Sequence, residues 1–354
     1  MIVTVTPNPS VDRTLQIPAL TPGAVHRAVS ETVEPSGKGV NVALAIHRVA
    51  GEVLAVLPAG GYAGAHLASM IRAAGLRCEL VACSEETRSN VSVVEPDGTT
   101  TKINELGPRL TPRQIDQLAQ AALRLSRPGD WVAWCGSLPR GFSPQELAGQ
   151  VAACRAAGRM VTLDSSGQAL ALAVDGPRDR LPHLIKPNTE ELAELTGRSL
   201  LTVADVADAA AELVDRGIET VLVSLGADGA VIAEGGTVLY GSAPAERVLN
   251  TAGAGDAFLA GYLSTLTGPT AAPPPAAERL ASALRFGSAA VAQMGTVFIP
   301  PARYQTATIE VPDRTRRLRA PVRLPGPPAR PDLGDDPSGR WRPSAPRGPA
   351  PHFT

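Results

Sequence analysis

A chain of 354 residues with 44% hydrophobic and 19% charged residues has the apolar mass for a large core, which excludes wholesale disorder. Its 33 basic and 34 acidic residues leave a formal net charge of -1, so no global basic field recruits nucleic acid or anionic membrane, and 3% aromatics argues against a base-stacking platform. Cys78, Cys83, Cys135 and Cys154 form no C-x-x-C pair and the histidines are scattered, so neither a zinc site nor a disulfide framework is expected.

Ile2 to Thr6 reads as a short buried strand ended by Pro7-Asn8-Pro9. It carries no basic leader or signal-type apolar stretch, and no segment approaches about 18 uninterrupted apolar residues. A cytoplasmic protein with no membrane contact is expected. Ser10 to Arg13 then leaves the sheet. Leu15 to Ile17 and Val29 to Val33 alternate loosely, as exposed strands do. Ser36-Gly37-Lys38-Gly39-Val40-Asn41 precedes an apolar helix over Val42 to Val49. It is not a Walker A loop, since the upstream glycine and the following Ser/Thr are missing. Its glycines would let backbone approach a ligand, with Lys38 and Asn41 bonding a sugar or its phosphate. From the stretch alone, a flexible turn with a solvated lysine is the reading to prefer.

Val53 to Pro58 is a second strand, Ala63 to Ala74 a helix, and Cys78 to Cys83 a third strand. Asn90 to Glu95 and Thr100 to Asn104 flank the turn Pro96-Asp97-Gly98, and their polar sides place this hairpin outside the core. From Thr111 the pattern is regular βα alternation. Helices are expected over Pro112 to Ser126, Ser143 to Ala157 and Val203 to Arg216, with a further helix opening at Thr189. Strands are expected at Trp131 to Cys135, Val161 to Leu163, Leu184-Ile185 and Thr220 to Val223, with a meander over Ala230 to Tyr240 and a last helix over Ala276 to Gln293. Such alternation implies a mostly parallel sheet covered on both faces, with ligands beyond the carboxyl ends of its strands. Polar or glycine-rich segments recur at those ends: Gly136-Ser137, Asp164-Ser165, Lys186-Pro187-Asn188 and Ser224 to Gly229.

One more strand end stands apart. Asn250-Thr251-Ala252-Gly253-Ala254-Gly255-Asp256 opens an apolar helix over Ala257 to Leu266. The free amides of a helix start make an anion site. Asp256 there is either a general base beside a transferring phosphoryl group or an acidic first-turn residue favoured by the helix dipole. Gly253-Ala254-Gly255 is not a dinucleotide fingerprint, because the third glycine is missing and the first βαβ unit is distant. From Pro301 onward come twelve prolines and ten arginines with no apolar periodicity beyond Val322, the composition of a disordered tail.

Asn8-Pro9-x-x-Asp12, Gly37-Lys38-Gly39-x-Asn41, Gly136-Ser137-Leu138-Pro139, Lys186-Pro187-Asn188-x-x-Glu191, Ser224-x-Gly226-x-x-Gly229 and Asn250 to Asp256 occur in one order over residues 1–300. In that order they resemble the motifs of the PfkB (ribokinase-like) carbohydrate kinases. Thr87-Arg88-x-Asn90, Lys102-Ile103-Asn104 and Lys38 are most similar to the 1-phosphofructokinase and tagatose-6-phosphate kinase branch. Ser36 and Ala252 depart from the glycine and valine usual there.

The resemblance implies an α/β fold: a ribokinase-like three-layer αβα core over residues 1–310, with a small β lid from about 14–33 and 90–104. Residues 311–354 would be a disordered Pro/Arg-rich tail. The implied activity is ATP-dependent phosphorylation of a phosphosugar hydroxyl, fructose 1-phosphate first. A 6-phosphofructokinase, a tagatose-6-phosphate kinase, a nucleoside kinase and a non-catalytic phosphosugar sensor stand as alternatives. Asp256 would be the base, with Gly253, Ala254 and Gly255 completing the catalytic loop. Asp12, Gly37, Lys38, Gly39 and Asn41 would hold the sugar, and Arg88, Lys102 and Ser137 its phosphate. ATP would lie over Ser224, Leu225, Gly226, Ala227, Asp228 and Gly229, with Gly255, Asp256 and Asn188 adjoining and adenine near Phe286 to Ala290. Mg2+ would be held by Asn188 and Glu191 through water. A homodimer through the lid is implied too.

Overall fold

The computed structural model describes residues 1–267 and 273–322. The chain enters as β1 (Ile2–Val5), steps out into β2 (Ser10–Gln16) and β3 (Ser30–Ser36), and returns through α1 (Lys38–Arg48) to β4 (Val53–Ala59). Helix α2 (Gly61–Ala73) leads to β5 (Cys78–Ala82), and a second excursion makes the hairpin β6 (Arg88–Val94) and β7 (Thr100–Asn104). Then follow α3 (Pro112–Leu125), β8 (Trp131–Cys135), α4 (Pro144–Ala156), β9 (Met160–Asp164), α5 (Gly167–Ala173), β10 (Leu184–Ile185) and α6 (Thr189–Thr196). A short β11 (Leu200–Thr202), α7 (Val203–Asp215) and β12 (Thr220–Ser224) precede the meander β13 (Ala230–Glu234) and β14 (Thr237–Ser242). Helices α8 (Ala254–Ser264) and α9 (Ala276–Val291) and strands β15 (Thr308–Glu310) and β16 (Arg317–Val322) close the described chain.

The main sheet runs β15-β14-β13-β12-β10-β9-β8-β1-β4-β5. From β12 to β5 neighbouring strands are parallel, and the meander adds antiparallel strands at one edge. Strand alternation splits the core in two. Val3, Val5, Leu54, Val56, Val132 and Trp134 face α3 to α7, whereas Ile2, Val53, Ala55 and Ala133 face α1, α2, α8 and α9. Leu44 and Ile46 of α1 are wholly buried, each contributing roughly 1.5–3 kcal/mol. The result is the three-layer α/β architecture expected from the sequence.

Strands β3-β2-β6-β7 form a separate four-stranded sheet, in the place expected for the lid and called by that name below. It is longer than expected: β2 starts at Ser10, so Asp12 is a strand residue, and β3 runs on to Ser36. Register places Glu34, Asp12, Asn90 and Asn104 in one row on one side, with Ser92 and Lys102 one step along it. The opposite side carries Leu15, Val91, Val93 and Ile103.

The C-terminal boundary also moves. Composition ends the domain near residue 310, yet Arg317–Val322 pair antiparallel with β11 and bury Leu318 in the core. Pro321 and two arginines hide this edge strand from periodicity, since proline and charge are tolerated at sheet edges. The expected tail beyond residue 322 lies outside the described residues.

Candidate active site

Helix α8 begins earlier than the apolar run suggests, at Ala254. Its N-cap, Gly253, is left-handed (φ 79°), and a Cβ there would fall 2.5 Å from the Thr296 carbonyl oxygen. Glycine is therefore required on two counts. No side chain caps this helix start, and among the described residues nothing accepts the amides of Gly255 and Asp256. These amides and the helix dipole make a built anion hole.

Asp256 is the third residue of α8 and is buried. Asn41, on the buried side of α1, donates from Nδ2 to Asp256 Oδ2 at 2.8 Å. Burial, reinforced by the nearby Asp164 charge, pushes the Asp256 carboxyl up to about 6, against the pull of Lys38, the Asn41 bond and Lys186. Asp164 ends β9 with no exposure and binds two ammonium groups, Lys38 Nζ at 2.8 Å and Lys186 Nζ at 3.3 Å. Burial alone would raise its carboxyl, but Lys186 and Lys38 together hold it below the usual range. The Asp164 charge in turn raises Lys38. Lys186 Nζ lies 3.6 Å from where a Gly255 Cβ would stand, at the mouth of the anion hole.

The fold thus brings Asp256, Asn41 and Lys38 together and adds Asp164 and Lys186, which the motifs had placed only as strand ends. Their sequence signal was an acid or a base at the last residue of a buried parallel strand or just beyond it. Gly37 and Gly39 serve packing first. A Cβ at Gly39 would be 2.4 Å from Thr6 Oγ1, and one at Gly37 2.8 Å from Thr6 Cγ2, so their absence lets α1 close onto the end of β1.

On the lid, Asp12 Oδ1 accepts from Ser10 Oγ at 2.7 Å and Asn90 Nδ2 at 2.9 Å. Arg88 Nη2 donates to the Asn8 carbonyl at 2.9 Å and Nη1 to the Glu105 carbonyl at 3.2 Å. Burial lowers the Arg88 guanidinium, opposed by Asp12 and Glu105. Asn8 Nδ2 reaches Ser137 Oγ at 3.4 Å, joining lid and core. Ser137 and Lys102 are exposed. Asn8 Oδ1, Asn41 Oδ1, Asn90 Oδ1 and Arg88 Nε are buried with no hydrogen-bond partner among the described residues. Those of Asn8, Asn90 and Arg88 gather at one junction and that of Asn41 sits beside Asp256, and such orphaned atoms suit a polar ligand. Glu34, missed in the sequence, ties the lid to the anion hole: its Oε2 accepts from Thr296 N at 2.9 Å, and the Thr296 carbonyl backs Gly253.

At three expected positions the geometry shows what the side chains already do. Asn188 and Glu191 form the capping box of α6: Asn188 Oδ1 accepts from Glu191 N at 2.7 Å and Glu191 Oε2 from Asn188 N at 2.9 Å. An N-cap with an acid three residues on has the same spacing as a ligand pair. In the Ser224–Gly229 loop, Leu225 is buried in the core, and the Asp228 carboxylate turns away to Arg319. Gly226 and Ala227 are left as the exposed loop residues. The Phe286 ring is already stacked on Phe298 at 4.8 Å and on Tyr304 at 5.3 Å, which leaves it the least open part of the Phe286–Ala290 stretch. Ser288, Ala289 and Ala292 instead line a 320 Å³ cavity beside the Asn250 loop. That cavity holds none of the buried charges.

Residues 6–302 match the pfkB family carbohydrate kinase pattern. The chain belongs to the pfkB family of carbohydrate kinases. It is 36% identical over 305 residues to the 1-phosphofructokinase of Rhodobacter capsulatus, covering 85% of this chain and 94% of that one. The 1-phosphofructokinase of Haloferax volcanii is 38% identical over 269 residues, 75% of this chain and 83% of the relative. Among solved structures, phosphofructokinase-2 from Escherichia coli in complex with fructose-6-phosphate superposes with a TM-score of 0.76 at 31% identity, covering 82% of this chain and 93% of that one. PfkB membership makes the chain a carbohydrate kinase that transfers a phosphoryl group to an alcohol, with ATP the donor the family implies. Among the described residues no helix is long and apolar enough to cross a membrane, and no group of three His, Cys, Asp or Glu side chains is placed to hold a metal.

Proposed function

We propose that this kinase transfers the γ-phosphoryl group of ATP to the C6 hydroxyl of fructose 1-phosphate, giving fructose 1,6-bisphosphate. The observation that carries the reading is Asp256: a buried carboxylate raised to about 6, beside two unpartnered amides. Such a base is ionised near neutral pH yet basic enough to take a hydroxyl proton as the phosphoryl group leaves ATP. In-line transfer needs positive groups around the equatorial oxygens. The amides of Gly255 and Asp256, with Lys186 and Lys38 behind them, supply these in a water-poor site.

Asp12, Asn41 and Lys38 hold the sugar, and the free Asn41 Oδ1 accepts one of its hydroxyls. Arg88, Lys102 and Ser137 face its existing phosphate. The ATP phosphates run from the anion hole over the amides of Gly226 and Ala227, and the base enters the cavity at Ser288 and Ala289. Glu191 spends Oε2 on its cap and keeps Oε1. One carboxylate oxygen plus water suits Mg2+, which binds few protein groups, so Glu191, with Asn188 through water, would hold the ion. Bound there, it would neutralise phosphate charge.

The relatives named 1-phosphofructokinase support fructose 1-phosphate. Fructose 6-phosphate is the second reading, favoured by the structure solved with that sugar. The partly exposed apolar side of the lid, with Ile103 60% exposed, supports a homodimer formed there. The working compartment is the cytoplasm. Product analysis by phosphorus NMR tests the proposal: ATP and fructose 1-phosphate should yield ADP and fructose 1,6-bisphosphate. Turnover of fructose 6-phosphate alone would reverse the sugar in its cradle.

A further inference from the structure

We propose that β16 is a strap that holds the nucleotide loop Ser224–Gly229 and neutralises the one carboxylate within it. This rests on the reading that the loop carries the ATP phosphates. The strap lies beyond residue 302, where the family match ends.

The strap is anchored independently of the loop. It pairs with β11 through Leu200 opposite Val322 and Thr202 opposite Arg317, and Val203 N donates to the Arg316 carbonyl at 2.9 Å. Leu318 is buried in the same core cluster as Leu200 and Val203. A strand pinned in this way delivers Arg319 to a fixed place. Its backbone N–H donates to Asp228 Oδ2 at 2.7 Å, and its Nε pairs with Asp228 Oδ1 at 3.2 Å. Tyr240 Oη donates to the Asp228 carbonyl at 2.7 Å, and the Arg316 guanidinium covers the Tyr240 ring at 4.7 Å from its centroid. Asp228 is therefore gripped at backbone and side chain, from both sides of the loop.

The chemical reason follows from the charge. A carboxylate in a polyphosphate-binding loop repels its ligand unless it is paired and turned away. The strap does both, and the amides at Gly226 and Ala227 remain open. Arg319 is thus a positioning residue for ATP that never touches it.

Steady-state kinetics of the full-length chain test this. Arg319→Ala is expected to raise KM for ATP roughly three- to tenfold at low salt and less at high salt, with kcat and sugar KM within about twofold. Adding Asp228→Asn to Arg319→Ala should restore KM for ATP, because the charge needing neutralisation is gone. Ala227→Asp probes the loop itself and should also raise KM for ATP. Unchanged KM in Arg319→Ala with a raised KM in Ala227→Asp overturns the strap alone. Unchanged KM in both overturns the loop assignment and the strap with it. A rise in Arg319→Ala that Asp228→Asn does not reverse overturns the electrostatic role.

Discussion

Replacing Asp256 by asparagine should cost the enzyme its chemistry and make the fold more stable. The carboxyl is raised from 3.8 to about 6 by burial and by Asp164. A rise of about two units corresponds to about 3 kcal/mol. Between the two values the native state binds more protons than the unfolded chain, so stability falls as pH rises from about 4 through about 6. Above that window the native protein bears the full cost of a buried ionised carboxylate. The amide of Asp256→Asn never ionises and can still accept from Asn41. The variant should gain up to about 3 kcal/mol at pH 8, about half of that near pH 5, and little below about pH 4. Its kcat should fall on the order of 10²–10⁴. Urea unfolding at pH 5 and pH 8, with a coupled ADP-release assay, measures both. Near-normal turnover would refute the general-base role. A stability change of equal size at both pH values would refute the buried-charge argument.

The remaining predictions concern the same cluster. The pH profile of kcat/KM should bend downward on the acid side with an apparent pKa of about 6, that of the free enzyme's base; a flat profile through that region would count against it. Lys38→Ala removes one of the charges that hold Asp256 down, so the acid limb should move to higher pH while sugar KM rises more than ATP KM; an unmoved limb would contradict the coupling. Gly253→Ala forces a side chain into a left-handed backbone against the Thr296 carbonyl, which should cost about 1–3 kcal/mol in unfolding and depress kcat by disturbing the anion hole. Wild-type melting and turnover would show that the helix start tolerates what its geometry forbids.

Much of the fold could be read before any coordinates. Trp131–Cys135 is an apolar run closed by Gly136, and its bounds came out as expected. The misses share a cause. Helix α5 has seven residues and β11 three, too short for either periodicity to register, and β16 carries a proline and arginines that only an edge tolerates. At the site, glycine-rich motifs exposed Lys38, Asn41 and Asp256, because close approach requires particular residues. Asp164 was harder: its partner Lys38 is 126 residues away, and only the parallel sheet brings them together. Asp228 shows the opposite failure, a residue inside the right loop whose side chain was aimed by a strand ninety-one residues on.

The most direct test of the account is kcat/KM with Mg-ATP across fructose 1-phosphate, fructose 6-phosphate, tagatose 6-phosphate, fructose and adenosine. The account predicts a preference for fructose 1-phosphate of tenfold or more, about 1.4 kcal/mol. A preference for a 6-phosphate, or binding of these sugars with no turnover of any, would contradict it.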